Sequence, residues 1–430
     1  MRRKIVIAVV VAVLLAVFAG VALTGAKSTP ARAAVKLPTI TSIELLTDMV
    51  ANLPKLQSVS GDFTWSTTLL GSAPVVLGAD VPDEVQGFLP SGSGTVRFQK
   101  DDVRLEAKAG ASEATVVKSG SHVWVWTSQS GIATDYRLPP DAACPREQAQ
   151  PRMVTAAMIA AAIARMAPVA TLSVSGEDTV AGRQAYLLTL TPAASGSSFD
   201  HADVAIDAST YLPLRLRVFA AGVTEPVAAA GFTSIFYDPI AADEFAFTPP
   251  AGAKVRHETV RPSPRHGMKG MQEGWMGGPR MHKMRGGWQR DPSTAIMRRM
   301  MRELSVAKAR RASGLDLLAA PGVVRGLAFR GAHVMPAHKR GGAVAVLRYG
   351  DGFRTVVLAE GRLTKAQSAQ VRRHLAGVSF VKMAKIGGGR GYLYSSPLFN
   401  VFVWRHGSLT LVAGGAVPLS DLQAFVAALR

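Results

Sequence analysis

At 430 residues the chain is long enough for two or three separate cores. Its 48 % hydrophobic and 18 % charged residues describe a folded protein and exclude a disordered one. The charge of +19 would ordinarily suggest nucleic acid, and it is unevenly placed: Lys254–Arg311 holds 15 Lys/Arg against 4 Asp/Glu, +11 of the total; the export signal at the start of the chain argues against nucleic acid and for a lipid surface or anionic envelope polymer as the acidic partner. The single cysteine, Cys144, excludes an intramolecular disulfide and reads as an incidental loop thiol.

The chain opens with a positive stretch, Met1-Arg2-Arg3-Lys4, and an apolar run from Ile5 to Leu23. Ala31-Arg32-Ala33 offers a cleavage site before Ala34, so residues 1–34 read as a signal peptide, or as an uncleaved membrane anchor. Either way the positive-inside rule puts the remainder outside the cytoplasm, in the periplasm or on the outer face of the cell membrane.

A first domain is expected over 35–253. Ser42–Asn52 predicts an amphipathic helix with Ile43, Leu46, Met49 and Val50 on one stripe. Strand patterns follow at Ser58–Leu70, Gly94–Gln99, Val103–Lys108, Ala114–Lys118 and His122–Thr127, with a Gly/Pro/Ser loop at Gly71–Ser93. After a loop from Pro139 to Pro151, Met153–Met166 predicts an alanine-rich helix ended by Pro168. Strands resume at Leu172–Ser175, Gln184–Thr191, Val204–Asp207, Leu212–Phe219, Val227–Tyr237 and Phe245–Thr248. Residues 254–320 read as a basic linker rich in Met, Gly and Arg, ending in a helix over 294–312 whose Arg298, Arg299 and Arg302 face away from an apolar stripe. That helix suits packing on a neighbouring domain, a membrane surface or a partner protein.

A second unit, 321–430, shows strands at Ala343–Tyr349, Thr355–Ala359, Tyr392–Ser395, Val401–Arg405 and Leu409–Ala413, with helices at Thr364–Leu375 and Pro418–Leu429. Asp351-Gly352 marks a hairpin turn, and the glycine run 387–391 a flexible turn between strands. The fold class is therefore mainly β (α+β): a curved antiparallel sheet with helices, a linker, and a small α+β domain.

Catalytic signatures are missing: no G-x-S-x-G, H-E-x-x-H, C-x-x-C or Walker lysine motif, and the acidic residues are scattered, so the chain reads as a binding protein without a cofactor. Met268, Met271, Met276, Met281, His282 and Met284 supply soft ligands, but the surrounding cations repel a metal ion, and no metal centre is expected. The positive evidence lies in the strand faces. Phe63 and Trp65 alternate with polar residues; so do Val96 and Phe98, then Val103 and Leu105. Tyr186, Leu188 and Leu190 share a face, as do Leu212, Leu214 and Leu216, with Arg215 and Arg217 opposite. Such a sheet encloses an apolar cavity, or its two helices fill it; alternation leaves both open.

The run Val180, Gly182, Arg183, Tyr186, Leu188, Leu190, Pro192, followed by Ile206, Asp207, Thr210, Leu212, Pro213, Leu214, Arg215, resembles the LolA-like superfamily of lipoprotein carriers and receptors. So does the domain end at Phe245–Gly252. The layout with a second domain is similar to the sigma-E regulatory members, RseB (MucB), and Tyr349–Phe353 is like a strand pair of their C-terminal domain. The resemblance implies an incomplete, strongly curved antiparallel half-barrel closed by helices, whose hollow accepts acyl chains of lipids or lipoproteins. Its lining is then Phe63, Trp65, Val96, Phe98, Val103, Leu105, Tyr186, Leu188, Leu190, Leu212, Leu214 and Leu216. It also implies an alternative: a regulatory module holding an anti-sigma factor or other membrane protein without a lipid ligand.

Overall fold

The computed structural model describes residues 37–68, 91–138, 156–259, 303–335, 342–363, 381–386 and 389–430. The leader, the loops around 71–90 and 139–151 with Cys144, the Met/His-rich stretch, Arg298, Arg299 and Arg302, and the helix expected at 364–375 lie outside these residues.

The first unit is one sheet carrying two helices. Its strands are β1 (Ser58–Thr67), β2 (Ser91–Gln99), β3 (Asp102–Ala109), β4 (Ser112–Ser119), β5 (His122–Thr127), β6 (Ile132–Arg137), β7 (Ala170–Val180), β8 (Arg183–Pro192), β9 (Phe199–Asp207), β10 (Pro213–Ala220), β11 (Ala228–Phe232) and β12 (Lys254–Thr259). They line up as β12-β6-β5-β4-β3-β2-β1-β11-β10-β9-β8-β7, antiparallel except for the β6–β12 pair, and no strand closes the row into a barrel. Two-residue hairpins join β2 through β5; Gly110 and Gly120 take φ of +57° and +53° there, the backbone such turns require.

Helix α1 (Ser42–Asn52) starts from a capping box: the Glu44 N–H donates to Thr41 Oγ1 (3.2 Å) and the Thr41 N–H to Glu44 Oε2 (2.8 Å). Its fully buried residue is Leu45, one position off the predicted stripe, packed on Tyr186, Leu188 and Ile206 with Leu46 and Met49 alongside. Helix α2 (Ala156–Met166) packs against α1 and β7.

One buried carboxylate joins one end of this sheet to its middle. Asp207, 1 % exposed, accepts from the Arg183 guanidinium, from the N–H (2.8 Å) and hydroxyl (2.7 Å) of Ser209, from the Thr210 N–H (3.0 Å) and from the Tyr237 hydroxyl (3.2 Å). Arg183 also lies over the Tyr237 ring at 4.7 Å, and the Tyr237 carbonyl accepts from Ser58 Oγ (2.8 Å) at the start of β1. Burial raises the Asp207 pKa, but Arg183 and the Ser209 and Thr210 donors outweigh it and hold the carboxyl below its ordinary value. Burial pushes the Tyr237 hydroxyl up to about 12, which keeps it a donor at neutral pH.

The second unit is a sheet with one face covered. Its strands are β13 (Val323–Val324), β14 (Leu327–Met335), β15 (Val344–Asp351), β16 (Arg354–Gly361), β17 (Val381–Ile386), β18 (Gly389–Ser395), β19 (Asn400–His406) and β20 (Leu409–Gly415), in the order β13-β14-β15-β16-β20-β19-β18-β17. Helices α3 (Val306–Ser313) and α4 (Leu419–Ala427), with Leu315, Leu317 and Ala320, pack on one face around Tyr349, Phe402 and Phe425. Inside this core sits Glu360, wholly buried; one oxygen accepts from the Leu318 N–H (2.9 Å) and the other has no partner among the described residues. Burial pushes its pKa up to about 7.

Several elements differ from the sequence expectation. The missed strand β6 hides behind Asp135, 1 % exposed, which a polarity pattern places outward; it is held by His122 (2.9 Å) and His257 (3.1 Å). Residues 254–259, read as linker, extend the first sheet as β12. The strand expected at Phe245–Thr248 is a short 3-10 turn, Ala242–Phe245, whose carbonyls at Glu244 and Ala246 are taken by Arg104 instead of a neighbouring strand (3.2 and 2.8 Å). The strand expected over Val227–Tyr237 stops at Phe232, because Asp62 O accepts from both Thr233 N (2.8 Å) and Ser234 N (3.4 Å). Of the helix expected over 294–312, residues 294–302 lie outside the described residues; in the described part Leu304 bridges to Ala332 and a helix capped by Ser305 runs over Val306–Ser313. Strands β14 and β17 were not expected.

Replacing Asp207 by Asn is expected to cost about 3 kcal/mol in chemical denaturation, because a buried pair is broken with Arg183 left behind. A group with a lowered folded pKa contributes stability above its unfolded value of about 3.9 and loses it as pH falls through the folded pKa. The acid-side loss of melting temperature is therefore expected to be shallower in D207N than in the parent. Glu360 has the opposite sign. Its raised pKa gives a contribution that is present below the ordinary carboxylate range and lost as pH rises through about 7. E360Q is expected to flatten the decline of melting temperature between pH 5 and 8; an unchanged slope would refute it.

Candidate ligand-binding face

Register decides which of the expected lining residues meet. Leu188 lies opposite Val204, Val204 opposite Leu216, Leu216 opposite Ala230, Ala230 opposite Trp65 and Trp65 opposite Gly92. Directly opposed residues share a face, so this row runs unbroken from β8 to β2. Phe63 and the pairs Val96–Leu105 and Phe98–Val103 extend the same face over β3; Tyr186 and Leu190 flank Leu188 on it. Val116 and Val125 carry it across β4 and β5.

Helix α1 covers only one end of that face. Tyr186 and Leu188 are buried beneath Leu45, and Leu105 is buried, whereas Phe63, Trp65, Val96, Phe98, Val103, Leu190 and Leu216 are half-buried. Leu212 and Leu214 stand apart. The register shifts between Pro213 and Arg215, and beyond it the two leucines pack with Val180, Ala185 and Ala205, the last two on the reverse face of β8 and β9. The single leucine stripe expected for this hairpin is therefore divided by a bulge at Pro213, the residue that cannot donate to the ladder.

The floor of the face is set by two glycine–aromatic pairs. A Cβ at Gly92 would stand 2.3 Å from the Trp65 ring and 2.4 Å from the Lys108 carbonyl; one at Gly94 would stand 2.6 Å from the Phe63 ring and 2.3 Å from the Glu106 carbonyl. The two rings stack at 5.7 Å and lie down over β2 instead of standing off the sheet. Alternation found both aromatics; of the Ser-Gly-Ser-Gly start of β2, which makes room for them, Ser91–Ser93 reads in the sequence as loop and only Gly94 as strand.

Across β1–β4 the reverse face carries a polar row. Asp62, Thr95, Glu106 and Thr115 follow one another across β1–β4 along a groove of about 430 Å³, with Thr95 and Ser234 hydroxyls donating to Asp62 (both 2.9 Å). Among the described residues no group of His, Cys, Asp and Glu is placed to hold a metal ion. No helix among them is long and apolar enough to cross a membrane.

The second unit meets the first through the β15–β16 turn. The Phe353 ring stacks on Phe199 (4.5 Å), Gly352 sits against Val169, and the Arg354 guanidinium fills the space a side chain at Gly196 would need. Arg354 is held by Asp421 at 2.8 Å, and the Ser198 N–H donates to the Ala416 carbonyl across the seam (2.8 Å). Gly352 and Phe353, at the end of the Tyr349–Phe353 stretch that carried part of the family resemblance, thus take part in the contact between the units.

No protein-family pattern matches the chain, and no curated protein does. Among solved structures it is similar to MucB in complex with MucA(peri), at 15 % identity and a TM-score of 0.38, covering 90 % of this chain and 97 % of that one. A MucA/MucB complex from Pseudomonas aeruginosa matches at 14 % identity and a TM-score of 0.38, covering 90 % and 98 %. A LolA superfamily protein from Nitrosomonas europaea matches at 9 % identity and a TM-score of 0.20, covering 49 % of this chain and 99 % of that one.

Gly94→Ala is expected to lower stability by about 1–3 kcal/mol, since the new methyl meets backbone as well as the Phe63 ring. A denaturant titration indistinguishable from the parent would show that the floor is not fixed by this glycine.

Proposed function

We propose that this chain is an exported, envelope-associated protein of the LolA/RseB kind that carries or senses acyl chains of a lipid or lipoprotein on the apolar face spanning β8 to β3. The observation that carries the reading is the unbroken Leu188–Val204–Leu216–Ala230–Trp65 row, covered by α1 at one end and half-exposed at the other. A solid core buries such a row along its whole length; a solvated sheet face does not place Phe63, Trp65, Val96, Phe98 and Val103 side by side.

No covalent step is involved. Each buried CH₂ contributes about 0.8 kcal/mol, so one acyl chain binds usefully and reversibly. The Met/Arg-rich stretch and the N-terminal segment keep the protein near the membrane from which such a ligand comes.

The purified protein is expected to carry lipid in native mass spectrometry, or to take up a labelled fatty acid with a change in tryptophan fluorescence. Trp65→Asp places a charge on the half-exposed part of the face and is expected to weaken uptake by about tenfold or more while circular dichroism stays unchanged. An apo mass together with no fatty-acid uptake would refute the reading.

A further inference from the structure

The last two hairpins of the second sheet carry a cationic corner that the acyl-chain reading does not use. Between Val381 and Gly415 the sequence has Lys382, Lys385, Arg390 and Arg405 and no Asp or Glu. Lys385 lies directly opposite Arg390, and Arg390 is one residue before the Gly391–Trp404 pair, which sets Arg405 beside it on β19. All three are exposed. The ion pairs of this unit, Arg330–Asp351, Arg348–Glu303 and Arg354–Asp421, include none of them. Like charges set opposite each other destabilise a sheet, so three in a row on neighbouring strands cost the free protein stability unless an anion faces them.

The same face supplies an apolar neighbour. Met383, 58 % exposed, lies opposite Tyr392, and Tyr392 opposite Val403, one row in from the cations. β17 is the last strand of the sheet among the described residues, and Met383 and Lys385 on it are exposed. Neighbouring strands set the cations about 5 Å apart. A cationic row beside an exposed methionine and a tyrosine matches a layer of anionic headgroups over acyl chains.

We propose that this corner, Lys385, Arg390 and Arg405 with Met383, docks the protein on an anionic lipid bilayer. The inference is independent of acyl-chain uptake: a protein that takes up no fatty acid still docks, and one that does not dock still takes up lipid.

Partition of the full chain is compared between vesicles of phosphatidylcholine and vesicles containing phosphatidylglycerol. The parent is expected to prefer the anionic vesicles by tenfold or more, with the preference falling as salt rises. K385E/R390E/R405E, and separately K385Q/R390Q/R405Q, are expected to lose most of it, about tenfold, and the glutamine variant, which removes the like-charge repulsion, to melt at or above the parent temperature. A control reversing three charges of the basic stretch, R280E/K283E/R285E, keeps the larger share. Equal partition into both vesicle types would overturn the proposal. So would a triple variant that retains the parent preference, or a parent that ignores anionic vesicles and binds poly-glutamate.

Discussion

The Arg183–Asp207–Tyr237 constellation is the constraint on which the first unit rests. β8 and β9 lie near one end of the sheet row and β1 is in its middle, and backbone pairing alone reaches between them only through β10 and β11. Asp207 shortens that path: it takes Arg183 from β8 and the hydroxyl of Tyr237, whose carbonyl holds Ser58 at the head of β1. Burying the carboxylate costs several kcal/mol, and hydrogen bonds from charged or polar donors return a similar amount. The network is therefore small in net energy and large in positional effect. It fixes where β1 starts relative to β8, and a slip of one residue would turn Trp65 to the polar side.

Given that registration, the apolar face follows from side-chain size. Gly92 and Gly94 let Trp65 and Phe63 lie flat, so the β1–β2 part of the face stays low, while Leu45 rises from α1 over Tyr186 and Leu188 at the other part. Among the described residues the surface is thus roofed on one side and uncovered on the other. The division arises from where a single short helix sits, since the apolar residues themselves continue beyond its reach to Val116 and Val125.

Much of this was legible in the sequence because period-two alternation reports the face of a strand wherever its ladder is regular. Phe63/Trp65, Val96/Phe98, Val103/Leu105 and Tyr186/Leu188/Leu190 were all placed correctly relative to one another, and α1 was bounded to the residue. Legibility ended where the ladder changes register or a polar group is buried. The bulge after Pro213 removed Leu212 and Leu214 from the face. Asp135 hid β6, and Arg104 supplied hydrogen bonds that made a strand at 245–248 unnecessary. Those long-range partners are 13 to 142 residues away in sequence, beyond any local pattern.

The seam between the units ties the roof of the face to the second sheet. α2 packs on α1, and the chain leaving α2 turns through Val169, whose N–H donates to the Met166 carbonyl (2.8 Å) and whose carbonyl accepts from Ala193 (3.0 Å). Val169 touches Gly352 at the tip of the β15–β16 turn, and the next residue but one, Arg354, is clamped to Asp421 of α4. Every contact in this series is close-packed or hydrogen-bonded, so it has little slack to absorb a shift. Helix α2, which packs on α1, is thereby tied to the second unit: displacing α2 displaces Val169 against a turn anchored in the second core. The same turn stacks Phe353 on Phe199 at the start of β9, the strand that ends in Asp207. Roof, floor and second unit meet within one strand of the buried carboxylate, which is why a hairpin that looks local in sequence sets the geometry of both.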